Sequence, residues 1–275
     1  MPKRKVNGLP HYYEKVGEGK SLVFIHGAFA DSQIWEPQWH YFSSQYNLVR
    51  YDLRGHGKTG DSQLDRYSMN TFADDLESLL DSLKIFSPII CGLSWGGSIA
   101  QVFAVRNPKR VTALVLAGSN VSIRLTLIDK LLCDVLFPKW AMSMTNRISS
   151  VKTFVRFSLC LARLTQGKHW LSQNQAAQKY LENCMLTINS NEYMKIWGAI
   201  YGFNLLPLEN ITCPTLVLNG EYESKNTYQH TKEIRRRVSQ SIAKVVPAAS
   251  HATNIDNPDV FNRYLEEFIK TSTWC

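Results

Sequence analysis

The chain has 275 residues, enough for one or two domains and a sizeable core. Hydrophobic residues at 44% and charged residues at 20% exclude a disordered chain, and 15 Gly and 10 Pro without a repeat period exclude collagen-like and low-complexity classes. Lys and Arg total 31 against 23 Asp and Glu, a formal charge of +8. That balance permits nucleic acid, an acidic membrane surface or an anionic substrate as partner and does not choose among them.

Cys91, Cys133, Cys160, Cys184, Cys213 and Cys275 contain no CxxC pair and no Cys/His spacing of a zinc site. They are expected to be free thiols, buried at Cys91 and Cys213, in a reducing compartment. The basic start Met1-Pro2-Lys3-Arg4-Lys5 is not followed by an apolar h-region, so no secretory signal is expected. No apolar run reaches the roughly 18 residues of a membrane span. The expected location is the cytoplasm.

Along the chain, short apolar runs alternate with longer helical patterns. Leu22–Ile25, Leu48–Tyr51, Pro88–Cys91, Val111–Leu116, Thr215–Leu218 and Ile242–Val246 read as strands buried on both faces. Ser68 opens a helix to about Lys84, with Phe72, Leu76, Leu79, Leu80 and Leu83 at spacings of three and four. Asn257-Pro258 starts another, running to about Lys270 and placing Phe261, Tyr264, Leu265 and Phe268 on one face. Strands alternating with helices indicate a mostly parallel sheet. Residues 121–208 break the rhythm. They read as helices over Ile123–Leu136, Ile148–Leu164, Leu171–Cys184 and Asn191–Ile200, a helical cap inserted into a core of 1–120 and 209–275.

The sharpest motif is Gly92-Leu93-Ser94-Trp95-Gly96-Gly97, a G-x-S-x-G pattern. Alone it is weak. Here it follows a strand and opens a helix, Ser98 to Ala104, which is the setting that exposes a serine Oγ at the carboxyl end of a sheet. A serine hydroxyl needs a base to take its proton. His251, on the loop between the last strand and Pro258, is the candidate. His26 and His56 sit in strand-end turns and are read as ties between loops. His11, His40, His169 and His230 lack a motif and are read as packing or surface residues. The base in turn needs a carboxylate. Glu221 and Glu223 both lie just past the strand ending at Leu218, and Asp256 and Asp52 are weaker alternatives. The oxyanion donors expected are the backbone amides of Trp95 and Ala28, with Phe29 as the second choice after Ala28.

These features together closely resemble the α/β-hydrolase superfamily, in its serine-nucleophile branch with a helical cap. The resemblance runs from about His11 to Lys270 through His26-Gly27, Tyr51-Asp52-Leu53-Arg54-Gly55-His56-Gly57, the Gly92–Gly97 elbow, Pro214–Leu218 and His251–Pro258. It implies an eight-stranded, mostly parallel sheet with the cap after strand six, Ser94 as nucleophile, His251 as base and Glu223 as acid. Glu223 stands where the family most often has Asp, and its extra methylene requires a shifted loop. Relatives that open epoxides or cleave carbon–halogen bonds carry Asp at the elbow, and Ser94 argues against those activities.

The expected activity is therefore hydrolysis of a carboxylic ester or lactone with an apolar acyl or aromatic body, through an acyl-enzyme. The same residues also serve carbon–carbon bond hydrolases, thioesterases, perhydrolases and cofactor-free lyases of the superfamily, and a non-catalytic small-molecule receptor is a further alternative. No cofactor and no metal are called for. The expected partner is a small, largely apolar molecule rather than a nucleic acid. Trp140, Met142, Met144, Phe154, Phe157, Met194 and Trp197 are expected to build the cap core or face the serine. Residues 121–208 hold ten Lys/Arg against Asp129, Asp134, Glu182 and Glu192, a net +6 that leaves +2 for the rest. This segment either presents a solvated surface or steers an anionic substrate or surface.

Overall fold

The computed structural model describes residues 2–136 and 151–272. Eight strands, β1 (Lys3–Val6), β2 (Leu9–Val16), β3 (Ser21–Ile25), β4 (Asn47–Tyr51), β5 (Ile89–Leu93), β6 (Ala113–Ala117), β7 (Thr215–Gly220) and β8 (Ser241–Val246), form one sheet. Their order is β1-β2-β4-β3-β5-β6-β7-β8. The β1–β2 and β2–β4 pairs are antiparallel, and every pair from β4–β3 onward is parallel.

The central strands are apolar without alternation because both faces are covered. Val23 and Ile25 of β3 enter one core with Phe72, Leu76 and Phe103, whereas Leu22 and Phe24 enter the other with Trp35, Phe42 and Phe261. The same division by residue parity runs through β5 and β6. Chain order reverses between β3 and β5, since β3 continues to β4 on one side and β5 to β6 on the other. A crevice opens outside the carboxyl ends of strands at such a point.

Helix α1 (Glu36–Phe42) precedes β4, and helix α2 (Met69–Ser82) starts where Ser68 and Thr71 cap each other reciprocally. Helix α3 (Trp95–Arg106) follows β5 directly. Between β6 and β7 lie the described α-helices Leu127–Leu131, Val151–Gln166, Gln175–Thr187 and Ser190–Tyr201, the first continued to Leu136 by a wider π-helical turn and the last followed by a short 3₁₀ turn at Leu208–Asn210. Two start later than the periodicity predicts. Thr126 and Asp129 exchange side-chain-to-amide bonds of 2.8 and 3.0 Å, which sets the first start at Leu127 rather than Ile123. Asn174 accepts from the amides of Ala176 and Ala177, which moves the other from Leu171 to Gln175. Ile148 lies outside the described residues.

The loop after β4 is held by a buried ion pair. Arg54 donates to Asp75 of α2 through Nε at 2.8 Å and Nη2 at 2.7 Å, and through Nη1 to Ser62 Oγ at 2.8 Å. His11 Nε2 lies 3.3 Å from the same carboxylate, and Asn7 donates to it at 3.0 Å. Burial pushes the Asp75 carboxyl up, but His11 and Arg54 outweigh it and hold it below the usual range. The pair's stabilisation is therefore present at neutral pH and lost as pH falls through the folded-state pKa. Asp75→Ala leaves a buried guanidinium unpaired and is expected to cost about 3–5 kcal/mol in urea unfolding. A loss below about 1 kcal/mol would be the value of an exposed pair and would contradict this.

Candidate active site

Strand β5 runs fully buried to Leu93, and the chain then turns sharply into α3. Ser94 forms the turn at φ 53°, ψ −117°, a strained conformation for a residue with a side chain. Glycines make room for it. A Cβ on Gly92 would stand 2.5 Å from the Gly96 backbone, and one on Gly96 would stand 2.2 Å from the Ile25 carbonyl oxygen. The Ser94 amide donates to Ala117 O at 2.7 Å, while its carbonyl accepts from Gly97 and Ser98 at the head of α3. The hydroxyl is thereby fixed over the crevice at β3 and β5.

The loop after β8 brings His251 to this hydroxyl, with Nε2 2.9 Å from Ser94 Oγ. Nδ1 lies 2.8 Å from Glu223 Oε2. The other oxygen of Glu223 accepts the Ser224 amide at 3.0 Å, and its side chain is only 4% exposed. Burial lowers the His251 pKa, but the Glu223 carboxylate outweighs burial and leaves it above the ordinary histidine value. The hydrogen bond assigns Nδ1–H as donor to Glu223, so Nε2 is free to accept from Ser94.

The other acids named from the sequence are engaged elsewhere. Glu221 is exposed and accepts the Ala248 amide at 2.8 Å. Asp256 accepts the amides of Ser250 and Gln173 at 2.7 and 2.9 Å. Asp52 accepts those of Ser32 and Lys58 at 2.8 and 2.6 Å. His26 ties two loops, with Nδ1 2.7 Å from Gly27 O and Nε2 accepting the Leu53 amide at 2.9 Å. Burial pushes it down to about 4 and His56 down to about 3, so both are neutral.

Ala28, Phe29 and Ser94 line a common cavity. Among the described residues, the amides of Ala28, Phe29 and Trp95 have no protein acceptor. Phe29 turns the loop at φ 62° and stacks on Tyr193 with ring centroids 4.4 Å apart. Sequence reading missed Gly118. At φ 52° it lies so close to the pair that a Cβ would stand 3.1 Å from both Glu223 Oε2 and His251 Nδ1. Its only signal was a glycine closing a strand.

The cavity holds about 350 Å³. Val155, Leu159, Leu181, Met185, Tyr193 and Trp197 wall it from the inserted helices. Of the aromatic and methionine residues expected in the cap, Trp197 faces this cavity and Met194 lines a separate polar cleft. Phe157 does neither and is 62% exposed, because Val155 and Leu159 occupy the inward face of its helix. Trp140, Met142, Met144 and the side chain of Phe154 lie outside the described residues. Among the described residues, no three His, Cys, Asp or Glu side chains converge as metal ligands.

Residues 20–258 match the protein family described as alpha/beta hydrolase fold. Epoxide hydrolase 3 of Xenopus tropicalis is 24% identical over 291 residues, spanning 97% of this chain and 76% of that protein. The 3-oxoadipate enol-lactonase 2 of Acinetobacter baylyi is 23% identical over 255 residues, spanning 91% of this chain and 88% of the relative. Among solved structures, the enol-lactonase from Burkholderia xenovorans LB400 shares the fold at a TM-score of 0.80 and 22% identity, covering 98% of this chain and 100% of that one. With the family matched over most of its length and the fold matched end to end, this chain belongs to the alpha/beta hydrolase family of enzymes.

Proposed function

We propose that this enzyme hydrolyses a carboxylic ester or lactone with an uncharged, apolar acyl body through an acyl-enzyme on Ser94. The observation that carries the reading is the unbroken chain of hydrogen bonds Ser94–His251–Glu223 at the wall of an apolar cavity. In this mechanism His251 Nε2 takes the hydroxyl proton as Ser94 Oγ attacks the carbonyl carbon. The developing oxyanion is held by the amides of Ala28 and Trp95, the latter at the head of α3 where the helix dipole also favours negative charge. His251 then protonates the leaving alkoxide. Water, deprotonated by the same imidazole, releases the acid and restores Ser94. Glu223 holds the tautomer and stabilises the imidazolium.

The cavity wall supports an uncharged substrate. Among the described residues, Tyr193 is the one ionisable lining residue apart from His251, and burial pushes its phenol up to about 12. A carboxylate on the acyl body would lose its hydration there with no cation to replace it. Among the described residues the cations of the insertion thus have no counterpart in the cavity, which argues against their steering an anionic substrate. A serine at the elbow argues for acyl transfer over epoxide opening, and two of the similar proteins above are named for lactone hydrolysis.

Three outcomes are expected. A fluorophosphonate probe labels the wild type and not Ser94→Ala, and equal labelling of both would sink the assignment. Glu223→Gln lowers kcat/KM by roughly 10³–10⁴-fold. It also moves the acid limb of the pH profile to lower pH, because burial of His251 persists while the charge that raises its pKa is gone; an unmoved limb would exclude Glu223 as the partner. Across a matched ester pair, adding a terminal carboxylate to the acyl chain lowers kcat/KM at least about 100-fold, taking a desolvation cost of a few kcal/mol. Equal rates would show that the wall tolerates charge.

A further inference from the structure

Between Asp134 and Glu182 the sequence holds seven Lys/Arg and no Asp or Glu. Of these, Lys152, Arg156, Arg163, Lys168 and Lys179 are among the described residues, and none of the five lines the cavity. On the helix Val151–Gln166, Val155 and Leu159 turn inward to the cavity while Lys152, Arg156 and Arg163 are exposed. Arg163 is engaged by Glu182. Large apolar side chains are exposed on the same insertion. Phe157 adjoins Arg156 and is 62% exposed, and Leu127, Leu131 and Val135 are exposed by 83%, 53% and 65%. A single exposed leucine needs no explanation, but Phe157 is exposed beside Arg156 and a turn from Lys152, inside the stretch that carries seven cations and no acid.

We propose that the outer face of this insertion docks on an anionic phospholipid bilayer. Lys152 and Arg156 would meet the headgroup phosphates, while Phe157, exposed beside them on the same helix, enters the acyl boundary. Charge complementarity and apolar insertion together are the physical basis of peripheral membrane binding. Among the described residues no helix is long and apolar enough to cross a membrane, so the association is peripheral. A polynucleotide would satisfy the cations but gives aliphatic side chains nothing to enter, which is why the surface is assigned to lipid. The inference does not rest on the hydrolytic reading, because Lys152, Arg156 and Phe157 do not line the cavity.

Sedimentation of the full chain with vesicles tests it without any turnover. Vesicles of phosphatidylcholine mixed with phosphatidylglycerol are expected to carry the protein down, phosphatidylcholine alone is not, and added salt releases it. The double variant Lys152→Gln/Arg156→Gln weakens partitioning roughly 25-fold, about fivefold for each charge removed. Phe157→Ser weakens it several-fold and leaves the salt dependence unchanged. Glutamine keeps helix propensity, and circular dichroism confirms that both variants fold. Sedimentation that is indifferent to phosphatidylglycerol, or unaltered in the double variant, would overturn the proposal. So would a chain that ignores both vesicles yet binds polyuridine with the same salt dependence, which would assign the surface to nucleic acid.

Discussion

The molecule is organised by the turn at Ser94. A residue with a Cβ is held in the left-handed region because the strand before it and the helix after it are both locked in the core. The strain is tolerable only where Gly92 and Gly96 let backbone approach backbone, with the Gly96 position pressed against the end of β3. That contact brings two further groups to the hydroxyl. The loop leaving β3 carries the amides of Ala28 and Phe29, and α3 begins with the amide of Trp95. The proposed nucleophile and oxyanion donors are thus consequences of one packing constraint.

The histidine arrives by a different route, and the insertion takes part in it. The amides of His251 and Ala252 donate to Trp170 and Leu171 at 3.2 and 2.9 Å, so the base-bearing loop is paired with inserted backbone. Asp256 adds a second tie, accepting from both Ser250 and Gln173. On the other side of the cavity, Tyr180 donates to Asp31 at 2.5 Å and Tyr193 stacks on Phe29. The inserted helices therefore wall the cavity and brace the loops that hold the reacting groups.

Much of this was legible in the sequence, for stated reasons. Strands β3, β5, β6 and β7 are buried on both faces, so their apolar runs announced them, and the G-x-S-x-G pattern stood where strand gives way to helix. The edge strand β8 was announced by Ile242–Val246 but is not buried on both faces as expected, since an edge leaves Ile242 and Val245 exposed; the two antiparallel strands were not announced. β1 is KRKV with three exposed residues, and β2 mixes His11, Glu14 and Lys15 with its aromatics, so neither shows a continuous apolar run. Two acids two residues apart could not be separated by spacing. The turn closed by Glu223 N–H donating to Gly220 O is what buries Glu223 beside His251 and leaves Glu221 outside. Phe157 was misread because residue type reports apolarity and not direction. Gly118 was missed because only its backbone angle and its distance to two side chains distinguish it from any other strand-end glycine.

The central claim is that Ser94 Oγ becomes covalently acylated during turnover. Its most direct test is peptide mapping by mass spectrometry of the wild-type enzyme, acid-quenched during turnover of an activated apolar ester. The account predicts the acyl mass on the peptide containing Ser94, appearing within the first turnover and lost as the ester is exhausted. Sustained ester turnover with the acyl mass on another residue, or with Ser94 unmodified at every time point, would contradict it.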